Sequence, residues 1–183
     1  MVAVVVLPIS ARAAITDELA ISERSMGADD APVTLIEYSS MTCPHCATFH
    51  DDTLPKLKKA FIDTGKVRYI FRDFPLESRA MAAAMTARCV DPQRYFGFVD
   101  LIYKDQQDWS KSSDPMKALQ TRAQLAGLSE NDFASCLDNR TLFEAIQNRA
   151  QSGEAEFGIE STPTLLSMAR NLAAQCRSRS SRK

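Results

Sequence analysis

The feature that most constrains this chain is Cys43-Pro44-His45-Cys46, two cysteines at close spacing where a β-rich stretch gives way to a helix-periodic run. A cysteine at a helix N-terminus meets unpartnered backbone N–H groups and the positive end of the macrodipole, both of which favour its thiolate. A second cysteine one turn further on can close a ring within disulfide geometry. The spacing therefore predicts a redox pair, with Cys43 the nucleophile and Cys46 the more buried resolving thiol. Pro44 restricts the turn, and His45 is expected to lower the Cys43 thiol pKa by a hydrogen bond or a positive charge. Whatever stabilises the reduced form makes the disulfide a stronger oxidant.

The surroundings of the motif set the fold class. Residues 33–38 read as a buried strand, and Phe49, Leu54, Leu57, Ala60 and Phe61 recur at helical spacing with Pro55 as a kink. Thr64-Gly65-Lys66 turns the chain into a second strand over 67–74, which Pro75 stops. Strand, helix, strand calls for a parallel sheet and an α/β class. From 77 to 158 only helix punctuation recurs: Asp114-Pro115 opens a helix that Gly127 closes, Ser129 opens another, and Thr141 with Glu144 fits a capping box. Strand chemistry returns over 159–166 around Thr162-Pro163. The division expected is a framework over 14–76, a helical insertion over 77–150, a return over 151–168 and a basic tail over 169–183.

With 183 residues, 45% of them hydrophobic, the chain can bury a full core. A net charge of −1 leaves no broad basic surface for nucleic acid or anionic lipid. No glycine-rich phosphate loop is present, so no cofactor is expected beyond the redox pair itself. Tyr95, Phe96, Phe98, Tyr103 and Trp109 read as packing residues. The rival to a redox pair is half of a zinc site built from Cys43, Cys46 and either His45 or His50. No second Cys-x-x-Cys or His-x-x-x-His completes it, so no metal is expected, and His50 reads as an exposed helix residue.

Glu37 interrupts an otherwise apolar strand. A carboxylate there loses hydration unless a partner or a proton relieves it, so buried behind the motif it could exchange a proton with Cys46. The alternative is a strand-edge Glu that reaches water. Thr162-Pro163 enters the last strand; a cis bond there would offer the Thr162 backbone to an extended substrate peptide.

Residues 36–46, the helical block and Gly158-Ile159-Glu160-Ser161-Thr162-Pro163-Thr164 together resemble the DsbA family of periplasmic disulfide oxidoreductases, from about Ala31 to Leu165. The resemblance implies a thioredoxin fold with an inserted helical domain, with Cys43 as nucleophile, Cys46 as resolving thiol, Glu37 as buried acid and Pro163 as cis-proline. It also implies oxidation of reduced or unfolded exported proteins, and reoxidation by a DsbB-like quinone-linked membrane protein. The reverse directions, isomerase or reductase, and a redox-inactive or metal-binding module are the rival functions. Some relatives carry a second disulfide in the inserted block, where Cys89 and Cys136 lie; a structural bridge and two buried free thiols are both open. The protein is expected to be a monomer.

Both ends carry separate expectations. The apolar run from Met1 to Ile9, followed by Ser10-Ala11-Arg12-Ala13-Ala14, reads as an incomplete export signal over 1–13 and so as a periplasmic or cell-envelope location. Residues 168–183, which hold Cys176 and an Arg/Ser-rich run, depart from the family's closing strands and helix. A shifted reading frame or a basic interaction tail would account for them.

Overall fold

The computed structural model describes residues 15–169. The expected export signal (1–13), Cys176 and the basic run lie outside them.

The short, β-branched stretches flanking the motif form the centre of a four-stranded sheet of order β1-β3-β2-β4. β2 (Val33–Ser39) and β3 (Val67–Asp73) run parallel, in register from Val33↔Val67 to Ser39↔Asp73. The helical run between them supplies the crossover that parallel pairing demands. It begins as α2 (Pro44–Thr48) and α3 (Leu54–Leu57), interleaved with wider π-helical turns over Phe49–Thr53 and Lys58–Ile62. Pro55 closely follows the first π-helical turn, where the regular i→i−4 ladder is already interrupted, so it punctuates the run without ending it.

Two strands differ from the sequence reading. β1 (Arg24–Met26), to which the sequence reading assigns no strand, pairs antiparallel with β3. It is three residues long and draws its partners from β3, so no local periodicity announces it. β4 (Thr164–Ala169) starts later and ends later than the strand expected over 159–166. Met168 and Ala169, read as the start of a foreign tail, are paired with Thr34 and Val33 in the antiparallel ladder to β2.

The insertion is α4 (Ser78–Cys89), α5 (Tyr95–Lys104), α6 (Gln106–Ser110), α7 (Pro115–Leu125) and α8 (Glu130–Leu137). Side-chain caps start several of these helices: Glu77 accepts from Arg79 and Ala80, Asp114 from Lys117, and Ser129 from Asp132. α9 (Arg140–Phe157) is continuous across the expected boundary at 150, so one helix carries the chain back to the framework. It ends at Gly158, whose φ of 64° is the left-handed cap geometry glycine adopts without steric cost.

Alternation along β2 splits the core. Leu35 joins the cluster of Cys43, Cys46, Phe49, Tyr69, Phe71, Tyr103 and Trp109, while Ile36 and Tyr38 join Ile70, Phe74 and Ile159 on the opposite face. On that second face α9 approaches closely: a Cβ at Gly153 would lie 2.5 Å from Tyr38 Cε1. Cys89 at the end of α4 and Cys136 in α8 are joined by a disulfide, 47 residues apart in sequence. Arg88, one residue before, pairs with Asp73 of β3 at 2.6 Å and donates to the carbonyls of Ala20 and Ser22, tying α1 (Asp17–Ile21) to the sheet.

Candidate functional site

The motif sits where β2 ends and α2 begins. Cys43 is the N-cap of α2 and Pro44 its first residue, where a missing N–H costs no hydrogen bond. The Cys43 carbonyl accepts from Cys46 N at 3.1 Å and Ala47 N at 3.2 Å, closing the first turn. Both cysteines are free thiols, so the structure holds the reduced pair. Cys43 is 7% exposed and Cys46 0%; the first sulfur is less open than the sequence suggested, yet it is the one solvent reaches.

The two thiols are electrostatically unlike. Burial pushes Cys43 up, but the Thr162 side chain and the backbone N–H groups of Cys46 and His45 outweigh it, and the thiol ends below its ordinary value. The His45 contribution comes through its backbone; its ring stands exposed. Burial dominates at Cys46 and pushes that thiol up to about 12, despite the Ser39 hydroxyl beside it. One sulfur is poised as a nucleophile and the other is held protonated.

The loop before β4 supplies the facing wall. The Thr162–Pro163 bond is cis, and the Cys43 thiol donates to the Thr162 carbonyl at 3.3 Å, across 119 residues of chain. Pairing of Tyr38 with Thr164 and of Glu37 with Leu165 brings that loop to the end of β2.

Glu37, in the central strand β2, is fully buried, which excludes the strand-edge alternative. Tyr69 OH donates to its Oε2, and His50 Nε2 stands 3.3 Å from its Oε1. His50 is therefore not the exposed helix residue expected from the sequence. It is buried, stacked on Tyr103 with ring centroids 4.3 Å apart, and its Nδ1 is 3.9 Å from the half-exposed Asp100. Burial pushes the imidazole pKa down, but Asp100 and Glu37 raise it past its ordinary value. Tyr103 in turn shares a 2.8 Å hydrogen bond with Ser39.

Sequence reasoning missed three further residues here: Ser39, Tyr103 and Gln106. Gln106 Nε2 donates to the carbonyls of Met41 at 3.1 Å and Cys43 at 3.0 Å. Each is a polar group on a helix or strand whose partner is remote in sequence, so no spacing rule signals it. Among the described residues no group of three or more His, Cys, Asp or Glu side chains is placed to hold a metal ion.

A family model described as Thioredoxin matches residues 20–178. The crystal structure of Wolbachia pipientis alpha-DsbA1 is 34% identical in sequence and superposes with a TM-score of 0.75, covering 85% of this chain and 80% of that one. The chain belongs to the DsbA family of thioredoxin-fold thiol-disulfide oxidoreductases. A Rickettsia bellii relative named as a protein-disulfide oxidoreductase is 34% identical over 122 residues, 66% of this chain and 47% of that protein. Disulfide bond formation protein D of Bacillus subtilis is 28% identical over 151 residues, 76% of this chain and 65% of that protein. This DsbA-family chain thus spans about half the length of the Rickettsia relative.

Proposed function

We propose that this protein oxidises pairs of thiols in exported polypeptides, through a disulfide between Cys43 and Cys46. A substrate thiolate attacks Cys43 Sγ of the oxidised pair, the intramolecular S–S bond breaks, and Cys46 leaves and is protonated. A second substrate thiolate then attacks its own sulfur in the mixed disulfide, releasing oxidised substrate and the reduced pair. Two electrons pass from substrate to enzyme in each cycle. The observation that carries this reading is the asymmetry of the pair: a stabilised, slightly exposed thiol at Cys43 beside a fully buried, protonated one at Cys46. A stabilised reduced form is what makes a disulfide oxidising.

Roles follow for the neighbours. Thr162 and Pro163 present the carbonyl against which an extended substrate chain would lie. Pro44 and His45 shape the turn, and Glu37 is the proton acceptor and donor for Cys46. The proposed setting is the periplasm or cell envelope. Support comes from the Cys89–Cys136 disulfide, a kind of bridge that persists in oxidising compartments. No helix among the described residues is long and apolar enough to cross a membrane. Continued turnover requires an oxidant; a DsbB-like, quinone-linked membrane protein is the proposed partner, and the chain is proposed to act as a monomer.

The test is equilibration with glutathione redox buffer, reading the Cys43–Cys46 state by mass after alkylation, together with oxidation of a reduced, unfolded substrate protein. An oxidising equilibrium and turnover lost in Cys43→Ser support the reading. A strongly reducing equilibrium makes the protein a reductase, and no exchange at Cys43 makes it redox-inactive.

A further inference from the structure

The redox turn is held from outside the thioredoxin framework. Gln106 projects from α6 of the helical insertion, is only 2% exposed, and donates from one amide nitrogen to two carbonyls that bracket Thr42. A carboxamide NH2 carries two donor hydrogens in a fixed plane, so satisfying both acceptors sets the relative orientation of the Met41 and Cys43 peptides. α6 is itself immobilised: Trp109 Nε1 donates to the Ile102 carbonyl at 2.9 Å, Ser110 Oγ to the Gln106 carbonyl at 2.6 Å, and Arg79 to the Ser110 carbonyl at 2.7 Å. The amide is a fixed post rather than a floating partner.

We infer that Gln106 is a positioning residue, through which the helical insertion holds Cys43 in the orientation that presents its sulfur to Thr162. The inference rests on Cys43 being the redox nucleophile. Its energetic consequence differs between the two redox states. In the disulfide form the ring from Cys43 to Cys46 restrains the turn covalently. In the dithiol form that restraint is gone, and the turn depends on the hydrogen bonds to Gln106 and within α2. Loss of the amide therefore falls mainly on the reduced form, and linkage makes the couple less oxidising. Met41 would also be left with a buried carbonyl lacking this donor, a cost common to both states.

The test is Gln106→Met, which keeps length and removes both donors. The expected result is a glutathione equilibrium shifted toward the enzyme disulfide by roughly three- to tenfold, the worth of about one net hydrogen bond. The melting temperature of the reduced form should fall further than that of the oxidised form. Equal losses in the two forms with an equilibrium unchanged within about twofold would make Gln106 a purely structural residue and overturn the inference. If the variant does not fold, the wild-type protein decides: the Gln106 carboxamide resonances should differ between redox states and titrate with the Cys43 thiol, and resonances indifferent to both overturn it. Absence of exchange in the wild-type protein would instead defeat the proposed redox function, so the two failures are distinct.

Discussion

His50 Nε2 stands 3.3 Å from Glu37 Oε1, with side chains 1% and 0% exposed. A carboxylate at this distance favours the charged form of the buried imidazole, and the His50 pKa is raised by Asp100 and Glu37 against the downward push of burial. A group raised above its unfolded value, about 6.5 for histidine, contributes stability that is complete below that value and lost as pH rises through the folded one. Urea midpoints of the wild-type protein should therefore fall between pH 6 and pH 9. His50→Gln should be less stable at pH 6 and lose that pH-dependent part; a slope unchanged in the variant would remove His50 from the pair.

The Cys43 thiol should ionise below the ordinary cysteine range and Cys46 should stay protonated, since burial holds it up at about 12. For a thiol depressed on folding, the stabilisation of the reduced form is present above the unfolded pKa and lost as pH falls through the folded one. In a Cys176→Ala background with the Cys89–Cys136 bridge intact, thiolate absorbance of the reduced pair should show a single transition below pH 9, absent in Cys43→Ser. Thr162→Val, which removes the hydroxyl beside the sulfur, should raise that midpoint by roughly one pH unit.

Arg88 and Asp73 form an ion pair at 2.6 Å with side chains 1% and 3% exposed. Removing one partner strands the other in the interior, so Arg88→Met should cost about 3–5 kcal/mol. It also removes the donors to Ala20 and Ser22, so limited proteolysis should cut first in the segment containing α1. Arg88→Met combined with Asp73→Asn should recover part of the loss by chemical denaturation.

Cys89→Ala with Cys136→Ala opens a loop of 47 residues and should lower stability by roughly 3–4 kcal/mol through the unfolded chain. The bridge lies outside the redox turn, so exchange at Cys43 with glutathione should persist in the folded variant. Loss of exchange without loss of fold would show that the bridge acts on the site.

Where the site was legible, the information was local. Cys43 and Cys46 are three positions apart in the chain, and Glu37 stands out because a carboxylate breaks an apolar strand. His50 was misread because the groups that enclose it, Glu37, Tyr103 and Asp100, meet it only in the folded chain. Gly153 carried no signal either, because its need to be small comes from Tyr38, more than a hundred positions earlier.

From the order of its residues alone, the chain specified a parallel strand–helix–strand unit, a helix opened by a cysteine pair, and a mainly helical insertion. All of these rest on interactions within a few residues: backbone periodicity, capping and the closure of a small ring. Tertiary structure decided what surrounds the two sulfurs. It brought the Thr162 carbonyl to Cys43, His50 to Glu37 and the Gln106 amide to the redox turn. Hydrogen bonds and desolvation act over ångströms, and distance along the chain does not measure them; only the folded chain sets what each sulfur meets.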